Sequence, residues 1–234
     1  MIAVSLLSQK RTQYKPSMQE TIIHKTITFV KEQLKNAEGG HDWFHMERVW
    51  KNAKLIAGQE TGADILTVEL GALLHDIADS KFHNGDETVG PLVAREFLER
   101  ELVEVSIIEH VIKIIENISF KGGNLDQKFN SLELNIVQDA DRLDALGAIG
   151  IARTFNYGGF KNRAIYDPAI KPDLDMDAAT YKKSTAPTIN HFYEKLLLLK
   201  DRMNTHTGKQ LATQRHDFIK VFLTQFYLEW NGKA

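Results

Sequence analysis

Residues 69–79 read ELGALLHDIAD and set an adjacent histidine and aspartate, His75 and Asp76, in a largely apolar helical stretch. On a helical wheel the small residues Gly71 and Ala72 lie on the His75 side, so another helix or an ion can approach closely. A polar group that is buried without a partner costs several kcal/mol. A shared divalent cation offsets that cost, and a core histidine bonded to a neighbouring acid is the alternative explanation.

His-Asp dipeptides occur three times in the chain, so the dipeptide alone is a weak signal. Asp42 follows His41 directly before a predicted helix, which is typical of an N-terminal helix cap. His216 and Asp217 lie in a polar stretch that is typical of a solvated helix face. His45 differs because it shares its predicted helix face with apolar residues of the following turns.

The segment LNIVQDADRLDALGAIGIA, residues 134–152, contains three aspartates that compete as further ligands. Asp139 and Asp144 flank the main apolar stripe of the predicted helix more closely than Asp141 does. The side of Asp141 is lined instead by small residues, namely Ala145, Ala148 and Ala152. The helical pattern by itself leaves the choice among the three aspartates open.

Helical periodicity dominates the chain and strand-type alternation is weak. Six helices are predicted over about 17–36, from 42 onward, 63–79, 86–101, 103–118 and from 132 through 141. Two more are predicted over about 187–203 and 208–230. Residues 156–178 break the pattern, and a loop of that length is either a functional lid or a connector between helices. The fold class that follows is an all-α bundle.

Composition limits the classes of function. A formal net charge of −2 over 234 residues offers no general attraction to nucleic acid or to a membrane surface. There is no cysteine, which excludes disulfides and thiolate chemistry. The N-terminal run MIAVSLL precedes its basic residues and falls short of the ~18 residues of a membrane span. We therefore expect a soluble cytoplasmic protein, monomeric or homodimeric, that binds neither nucleic acid nor membrane.

Three stretches of the chain together carry a resemblance to a known family: HDWFHMERV (41–49), ELGALLHDIAD (69–79) and VQDADRLDALGAIGIARTF (137–155). In this order they resemble the HD-domain phosphohydrolase superfamily, in particular its small bacterial members. The resemblance implies one HD-type domain over residues 1–234. Its parts would be a helical-bundle core over about 17–160, the irregular loop over 156–178, and additional C-terminal helices over about 187–230 packed on the core.

The family pattern is H…HD…D, and its last aspartate lies in an ADRL-like stretch. Carried over to this chain, the resemblance implies His45, His75, Asp76 and Asp141 as the metal ligands. Nitrogen and oxygen ligands together suit one divalent ion, Mn²⁺ first, or Fe²⁺, Ni²⁺, Co²⁺ or Zn²⁺. Such an ion lowers the pKa of a bound water and polarises a phosphoryl oxygen, which predicts a metal-dependent phosphohydrolase.

Further residues are candidates for assisting this chemistry. Asp79 stands where related phosphohydrolases carry an acid that assists the attacking water, although a solvent-facing helix end is the alternative. His83 follows in a glycine-containing loop just beyond the metal helix and is a second catalytic candidate. Arg48, Lys81 and Lys121 are candidate cations for the phosphate oxygens of the substrate.

The resemblance implies a phosphorylated small-molecule substrate, and we expect a nucleotide. The reaction would be that of a nucleoside triphosphate pyrophosphohydrolase or a nucleotidase. One alternative is a two-metal oxygenase or phosphodiesterase of the same superfamily, which needs extra histidines between Asp76 and Asp141, where only His83 and His110 occur. Another alternative is a non-catalytic nucleotide-binding module built on the same bundle.

Overall fold

The computed structural model describes residues 17–35, 42–78, 86, 88–118, 129–176, 180 and 183–233. Its helices are, in chain order, α1 (Met18–Gln33), α2 (Trp43–Ala57), α3 (Ile65–Leu74), α4 (Val89–Arg100), α5 (Val105–Asn117), α6 (Leu132–Asp144), α7 (Gly147–Phe160), α8 (Asn190–Glu194) and α9 (His206–Trp230), with a 3₁₀ helix at Leu196–Arg202. These ranges contain no β-strand, which confirms the all-α prediction. Within them, no helix combines the length and the apolar character that crossing a membrane requires.

Helix α2 is the central element and packs against α3 and α6. Apolar side chains that are fully buried line these contacts, among them Val49 and Ile56 of α2, Val68 of α3, and Val137 and Leu143 of α6. The start of α2 is fixed by the predicted cap Asp42, whose carboxylate accepts a 3.0 Å hydrogen bond from the backbone N–H of His45. This bond defines the first turn of α2, the helix that packs against α3 and α6.

The predicted close approach at Gly71 is confirmed, and its cause is helix packing. A Cβ placed on Gly71 would lie 3.2 Å from the side chain of Ile114 on α5 and 3.5 Å from Val137 on α6. These distances leave almost no room for a larger residue. Gly71 therefore brings α3 close to two neighbouring helices.

Helix α3 ends earlier than predicted, at Leu74 instead of near residue 79, and residues 75–78 form a turn. The side chain of His75 supplies a physical reason. Its Nδ1 lies 2.9 Å from the carbonyl oxygen of Ala72, the same oxygen that the backbone N–H of Asp76 would bond in a continuing helix. His75 and Asp76 consequently stand at the end of α3 and not within it.

The prediction that small residues line one helical face together with Asp141 is wrong. Helix α6 ends at Asp144, and α7 begins at Gly147 after a change of direction, so residues on the two sides of this turn do not share one helical face. Gly147 has a φ of +70°, which favours glycine, and a Cβ there would lie 3.1 Å from the side chain of Arg215. The three alanines that were assigned to this face are Ala145, Ala148 and Ala152.

The segment predicted to be irregular, 156–178, begins as helix, because α7 continues to Phe160. The described residues that follow it up to 176 contain no further helix. Tyr166 packs there against three aromatic rings of α9, with centroids 5.0–5.8 Å apart: Phe226, Tyr227 and Trp230. This packing favours a connector over a lid.

The single helix predicted over 187–203 is divided in the structure. Helix α8 covers only Asn190–Glu194, and the 3₁₀ helix follows after Lys195, whose φ of −140° and ψ of −58° lie outside the helical region. Helix α9 starts two residues before the predicted range of 208–230, at His206, because Thr205 caps it with its hydroxyl. Helix α9 then packs on α6 and α7.

Candidate metal centre

The ends of three packed helices bring the predicted ligands together. His45 lies in the first turn of α2, His75 follows the last residue of α3, and Asp141 lies in the last turn of α6. The Oδ1 atom of Asp141 is 3.6 Å from Nε2 of His45 and 3.9 Å from Nε2 of His75. Asp76 joins this group, because one ligand atom from each of His45, His75 and Asp76 lies within 4.8 Å of the others.

Both imidazoles are oriented by their Nδ1 atoms. Nδ1 of His75 lies 2.9 Å from the carbonyl oxygen of Ala72, and Nδ1 of His45 lies 2.8 Å from a carboxylate oxygen of Asp144. These partners only accept hydrogen bonds, so each Nδ1 carries the proton. Each Nε2 therefore presents its lone pair to the space beside Asp141, which is the tautomer that a metal-binding histidine requires.

The residues present fit a divalent ion. Ligand atoms about 2.1 Å from an ion are about 3 Å apart when adjacent in an octahedron and about 4.2 Å apart when opposite. The 3.6 and 3.9 Å separations from Asp141 to the two Nε2 atoms fall between these limits. Two imidazoles and two carboxylates also balance a 2+ charge, and this mixed set suits a transition metal better than calcium.

Asp144 connects this cluster to two arginines. Its buried carboxylate accepts hydrogen bonds from Nδ1 of His45 (2.8 Å), from Nε and Nη2 of Arg48 (2.6 and 2.9 Å) and from Nη1 of Arg153 (2.7 Å). Burial raises the pKa of Asp144, but the hydrogen bonds from His45 and Arg48 and the charge of Arg153 outweigh burial and hold this pKa well below its usual value. Asp144 is thus an ionised carboxylate that positions His45.

Arg153 also acts on Asp141. Desolvation by the surrounding protein raises the pKa of Asp141, whereas His75, His45 and Arg153 lower it, and the net effect is a pKa below the usual value. The side chain of Asp141 remains 42% exposed. Asp141 is therefore an ionised oxygen ligand at the accessible side of the cluster, with the Arg153 cation near it.

Asp139, the third aspartate of α6, has a different task. Its fully buried carboxylate accepts hydrogen bonds from the backbone N–H groups of Asn204 and Thr205 and from the Thr205 hydroxyl, at 2.7–3.0 Å. Arg142 also donates a hydrogen bond to Asp139, at 3.2 Å, and so braces α6. Asp139 anchors the start of α9 and takes no part in the metal cluster.

The sequence left Asp144 as one of three competing candidate ligands and assigned no function to Arg153. Asp144 follows Asp141 by three residues, nearly one helical turn, and this spacing was a usable signal. Arg153 gave no such signal, because it reaches Asp144 across the turn between α6 and α7. Both residues lie within the stretch 137–155 that carries the family resemblance.

The remaining predicted residues are placed as follows. Arg48 directs its hydrogen bonds to Asp144, so its observed role is to support that carboxylate, and its contact with a substrate phosphate stays a prediction. Nε2 of His110 bonds the Ser131 hydroxyl at 2.8 Å and is engaged at the start of α6. The other predicted residues lie outside the described residues, and their roles stay predictions: Asp79, Lys81, His83 and Lys121.

Known proteins resemble this chain over most of its length. The HD domain family model matches residues 43–146. The protein YpgQ of Bacillus subtilis (strain 168) is 38% identical over 201 residues, which cover 85% of this chain and 88% of YpgQ. The crystal structure of an HD-superfamily hydrolase from Bacillus thuringiensis aligns with a TM-score of 0.74 and 46% identity, over 91% of this chain and 98% of that chain. The crystal structure of Bacillus subtilis YpgQ in complex with ADP aligns with a TM-score of 0.71 and 32% identity, over 91% of this chain and 97% of that chain.

Proposed function

Because this chain belongs to the HD-domain phosphohydrolase superfamily, we propose that it is a metal-dependent hydrolase of nucleotides. The reaction is that of a nucleoside triphosphate pyrophosphohydrolase or of a nucleotidase. The observation that carries the proposal is the convergence of His45, His75 and Asp141, with both Nε2 atoms within 4 Å of one carboxylate oxygen. A nucleotide is supported by the ADP in the crystal structure of the relative YpgQ.

We propose that His45, His75, Asp76 and Asp141 hold one divalent ion, Mn²⁺ first among Mn²⁺, Fe²⁺, Ni²⁺, Co²⁺ and Zn²⁺. Such an ion supplies an acidified water as nucleophile and polarises a phosphoryl oxygen. The protein fixes the positions of the ligands, because Asp144 and the Ala72 carbonyl each hold one imidazole in a single orientation. These ligands therefore need little rearrangement to complete the site.

Arg153 joins Arg48 as a proposed phosphate contact among the described residues. Its guanidinium lies near both Asp144 and Asp141, and its side chain is 27% exposed, so a substrate can reach it. A phosphate oxygen competes with Asp144 for this cation, and a planar guanidinium suits that contact. Asp79 is the proposed group that accepts a proton from the attacking water, and His83 is the second proposed catalytic residue.

The single-ion proposal is favoured over a two-metal site by the engagement of His110 with Ser131 at the start of α6. A second ion would need additional imidazoles beside the first cluster, and His110 is held in another contact. Metal analysis of the purified protein tests this point. About one ion per chain is expected, and two ions per chain at full activity would contradict the proposal.

The decisive experiment is a hydrolysis screen of the metal-loaded protein. Ribo- and deoxyribonucleoside tri-, di- and monophosphates are incubated with each of the five metals, and the products are identified by chromatography. We expect turnover by the wild type and its loss in His75→Ala and Asp76→Ala, because each variant removes a metal ligand. His24→Ala, which changes an exposed histidine on α1, is the matched control and should retain full activity.

The outcomes separate the alternatives. Undiminished activity in both His75→Ala and Asp76→Ala would overturn the metal mechanism. A wild type that binds a nucleotide but hydrolyses none of the panel with any of the metals would favour the non-catalytic binding module. Release of pyrophosphate from a triphosphate identifies the pyrophosphohydrolase, whereas release of inorganic phosphate from a monophosphate identifies the nucleotidase.

A further inference from the structure

An exposed aromatic surface extends from the metal centre along α7. Arg153, Tyr157 and Phe160 follow one another at helical spacings of four and three residues, so their side chains leave α7 on the same side. Tyr157 is 47% exposed and Phe160 is 66% exposed. We call the rings of Tyr157 and Phe160 the aromatic strip. Two exposed rings on one side of a helix form an apolar patch, and exposed apolar patches rimmed by polar residues mark binding sites.

The aromatic strip does not belong to the core side of α7. The buried residues of α7 lie on another face of the helix, and they are Gly147, Gly150, Thr154 and Gly158. Phe155 faces α9, where its ring packs 5.9 Å from that of Phe222. Tyr157 and Phe160 therefore contribute little to the folding of the bundle, and their exposure is not explained by packing.

Cations border the aromatic strip. The Lys161 ammonium lies 5.0 Å from the ring centroid of Phe160 and 5.7 Å from that of Tyr157, and the Arg163 guanidinium lies 5.7 Å from Tyr157. With Arg153 at the other end, the strip is flanked by positive charge on both sides. Aromatic rings combined with Lys and Arg are the surface that binds nucleobases attached to phosphates.

The position of the aromatic strip matches the shape of a nucleotide. Tyr157 lies about 6 Å and Phe160 about 10 Å along the α7 axis from Arg153, at a rise of about 1.5 Å per residue. Arg153 bonds Asp144, which in turn bonds His45. A phosphate held at Arg153 and the metal cluster would thus leave the base of the same molecule one to two helical turns along α7.

We infer that the aromatic strip stacks the base of the nucleotide whose phosphates occupy the metal centre, with Tyr157 as the principal contact. This inference rests on the proposed function for the nature of the substrate. Stacking accepts any base, because every base has a π face, so it predicts binding of nucleotides with little preference among bases. The aromatic strip therefore determines the choice of a nucleotide over a phosphate compound that has no base.

The test compares ligands with and without a base. Calorimetry measures the binding of ADP and of inorganic pyrophosphate to the Mn²⁺-loaded wild type, Tyr157→Leu and Tyr157→Phe. We expect Tyr157→Leu to weaken ADP binding about 5- to 150-fold, the range for loss of one base–aromatic stack, with pyrophosphate binding unchanged. Tyr157→Phe keeps the ring and should bind ADP as the wild type does.

Kinetics supply a second readout. Tyr157→Leu should raise KM for a nucleoside triphosphate by a similar factor while kcat, and the hydrolysis of inorganic tripolyphosphate, stay at the wild-type level. Phe218→Leu is the matched control, because Phe218 is a 51% exposed ring on α9 and lies outside the aromatic strip. It should change neither ADP binding nor KM. Thermal unfolding confirms that each variant is folded.

The results that overturn the inference differ from those that overturn the proposed function. Equal ADP affinity in wild type and Tyr157→Leu rejects the stacking role and leaves the hydrolase proposal intact. Equal weakening of ADP and pyrophosphate also rejects it, because the effect is then independent of the base. A change of oligomeric state in Tyr157→Leu with unchanged ADP affinity would show that the strip is an interface between copies of the chain. If the wild type hydrolyses no nucleotide, the proposed function fails. The comparison of ADP binding with pyrophosphate binding in the wild type and Tyr157→Leu still shows whether Tyr157 stacks the base.

Discussion

Replacing Asp144 by asparagine is expected to weaken metal binding about 10- to 100-fold, the usual effect of removing a hydrogen-bond partner of a ligating histidine. Asp144 contacts no ion itself in the proposed site. Its carboxylate lies 2.8 Å from Nδ1 of His45 and keeps the Nε2 lone pair of that ring directed at the metal cluster. An amide can present its NH₂ group to Nδ1 and so favour the opposite tautomer of His45.

The effect on folding follows from the same contacts. The amide of Asp144→Asn has one acceptor oxygen where the carboxylate has two. At least one of the N–H groups that His45, Arg48 and Arg153 direct at this side chain therefore loses its acceptor. A hydrogen bond to a charged group contributes about 1.5–3 kcal/mol. Arg48 and Arg153 are 30% and 27% exposed, so water replaces part of the loss and the lower end applies. A loss of about 1.5 kcal/mol corresponds to a decrease in Tm of about 3–6 °C for a chain of this size.

Asp139→Asn is the matched control for Asp144→Asn. Asp139 is also a buried aspartate of α6 that accepts several hydrogen bonds, but its partners are Asn204, Thr205 and Arg142, away from the metal cluster. Titration calorimetry with Mn²⁺ gives the metal affinity, and thermal unfolding gives Tm. Asp139→Asn should lower Tm and leave the metal affinity unchanged.

Either of two results would show that Asp144 does not act on the metal site through His45. The first is wild-type metal affinity in Asp144→Asn at a lowered Tm, which would limit Asp144 to a role in folding. The second is an equal loss of metal affinity in Asp139→Asn, which would show that any weakening of α6 disturbs the site.

Three further predictions concern the metal, pH and the turn before α7. Mn²⁺ at 100 times its Kd should stabilise the wild type against unfolding by about 2.7 kcal/mol, and a chelator should reverse this stabilisation. His75→Ala should abolish the stabilisation. Thermal unfolding that shows His75→Ala to be stabilised by Mn²⁺ to the same extent would contradict the ligand assignment. Burial, together with the charges of Lys195 and Arg163, lowers the pKa of His191 to about 3. The unfolded chain then binds the extra proton between pH 3 and about 6.5, so stability falls as pH decreases through this window, by about 1.4 kcal/mol per pH unit from this group. Urea unfolding at several pH values should show a flatter slope for His191→Gln, and an unchanged slope would reject the effect. Gly147→Ala should lower the free energy of unfolding by about 1–2 kcal/mol, because the φ of Gly147 is +70°. Gly159→Ala in α7, where a Cβ would lie in open space, should be neutral or stabilising in the same assay. Equal effects of the two substitutions would show that the positive φ is not the cause.

Much of the fold followed from periodicity, because apolar residues repeat at helical spacing wherever a helix packs on the bundle. The ends of the helices were less predictable. The end of α3 depends on the Nδ1 atom of His75 and the Ala72 carbonyl, a side-chain contact that leaves no trace in the hydrophobic pattern. The division of the predicted helix at Lys195 likewise depends on one backbone conformation.

The sequence by itself determined the all-α class, the unusual polar residues His45, His75 and Asp76 in apolar stretches, and the resemblance that pointed to the family. The helical pattern left the choice among the three aspartates of α6 open and the resemblance singled out Asp141, but only the tertiary structure showed what each of the three contacts. A helical wheel shows how closely a residue lies to the buried stripe, but it does not show which neighbour the side chain meets there. Asp139 meets the start of α9, Asp144 meets two arginines and the Nδ1 atom of His45, and Asp141 meets the Nε2 atoms of two histidines. Their different roles therefore arise from the packing of α6 against α2, α3, α7 and the segment before α9.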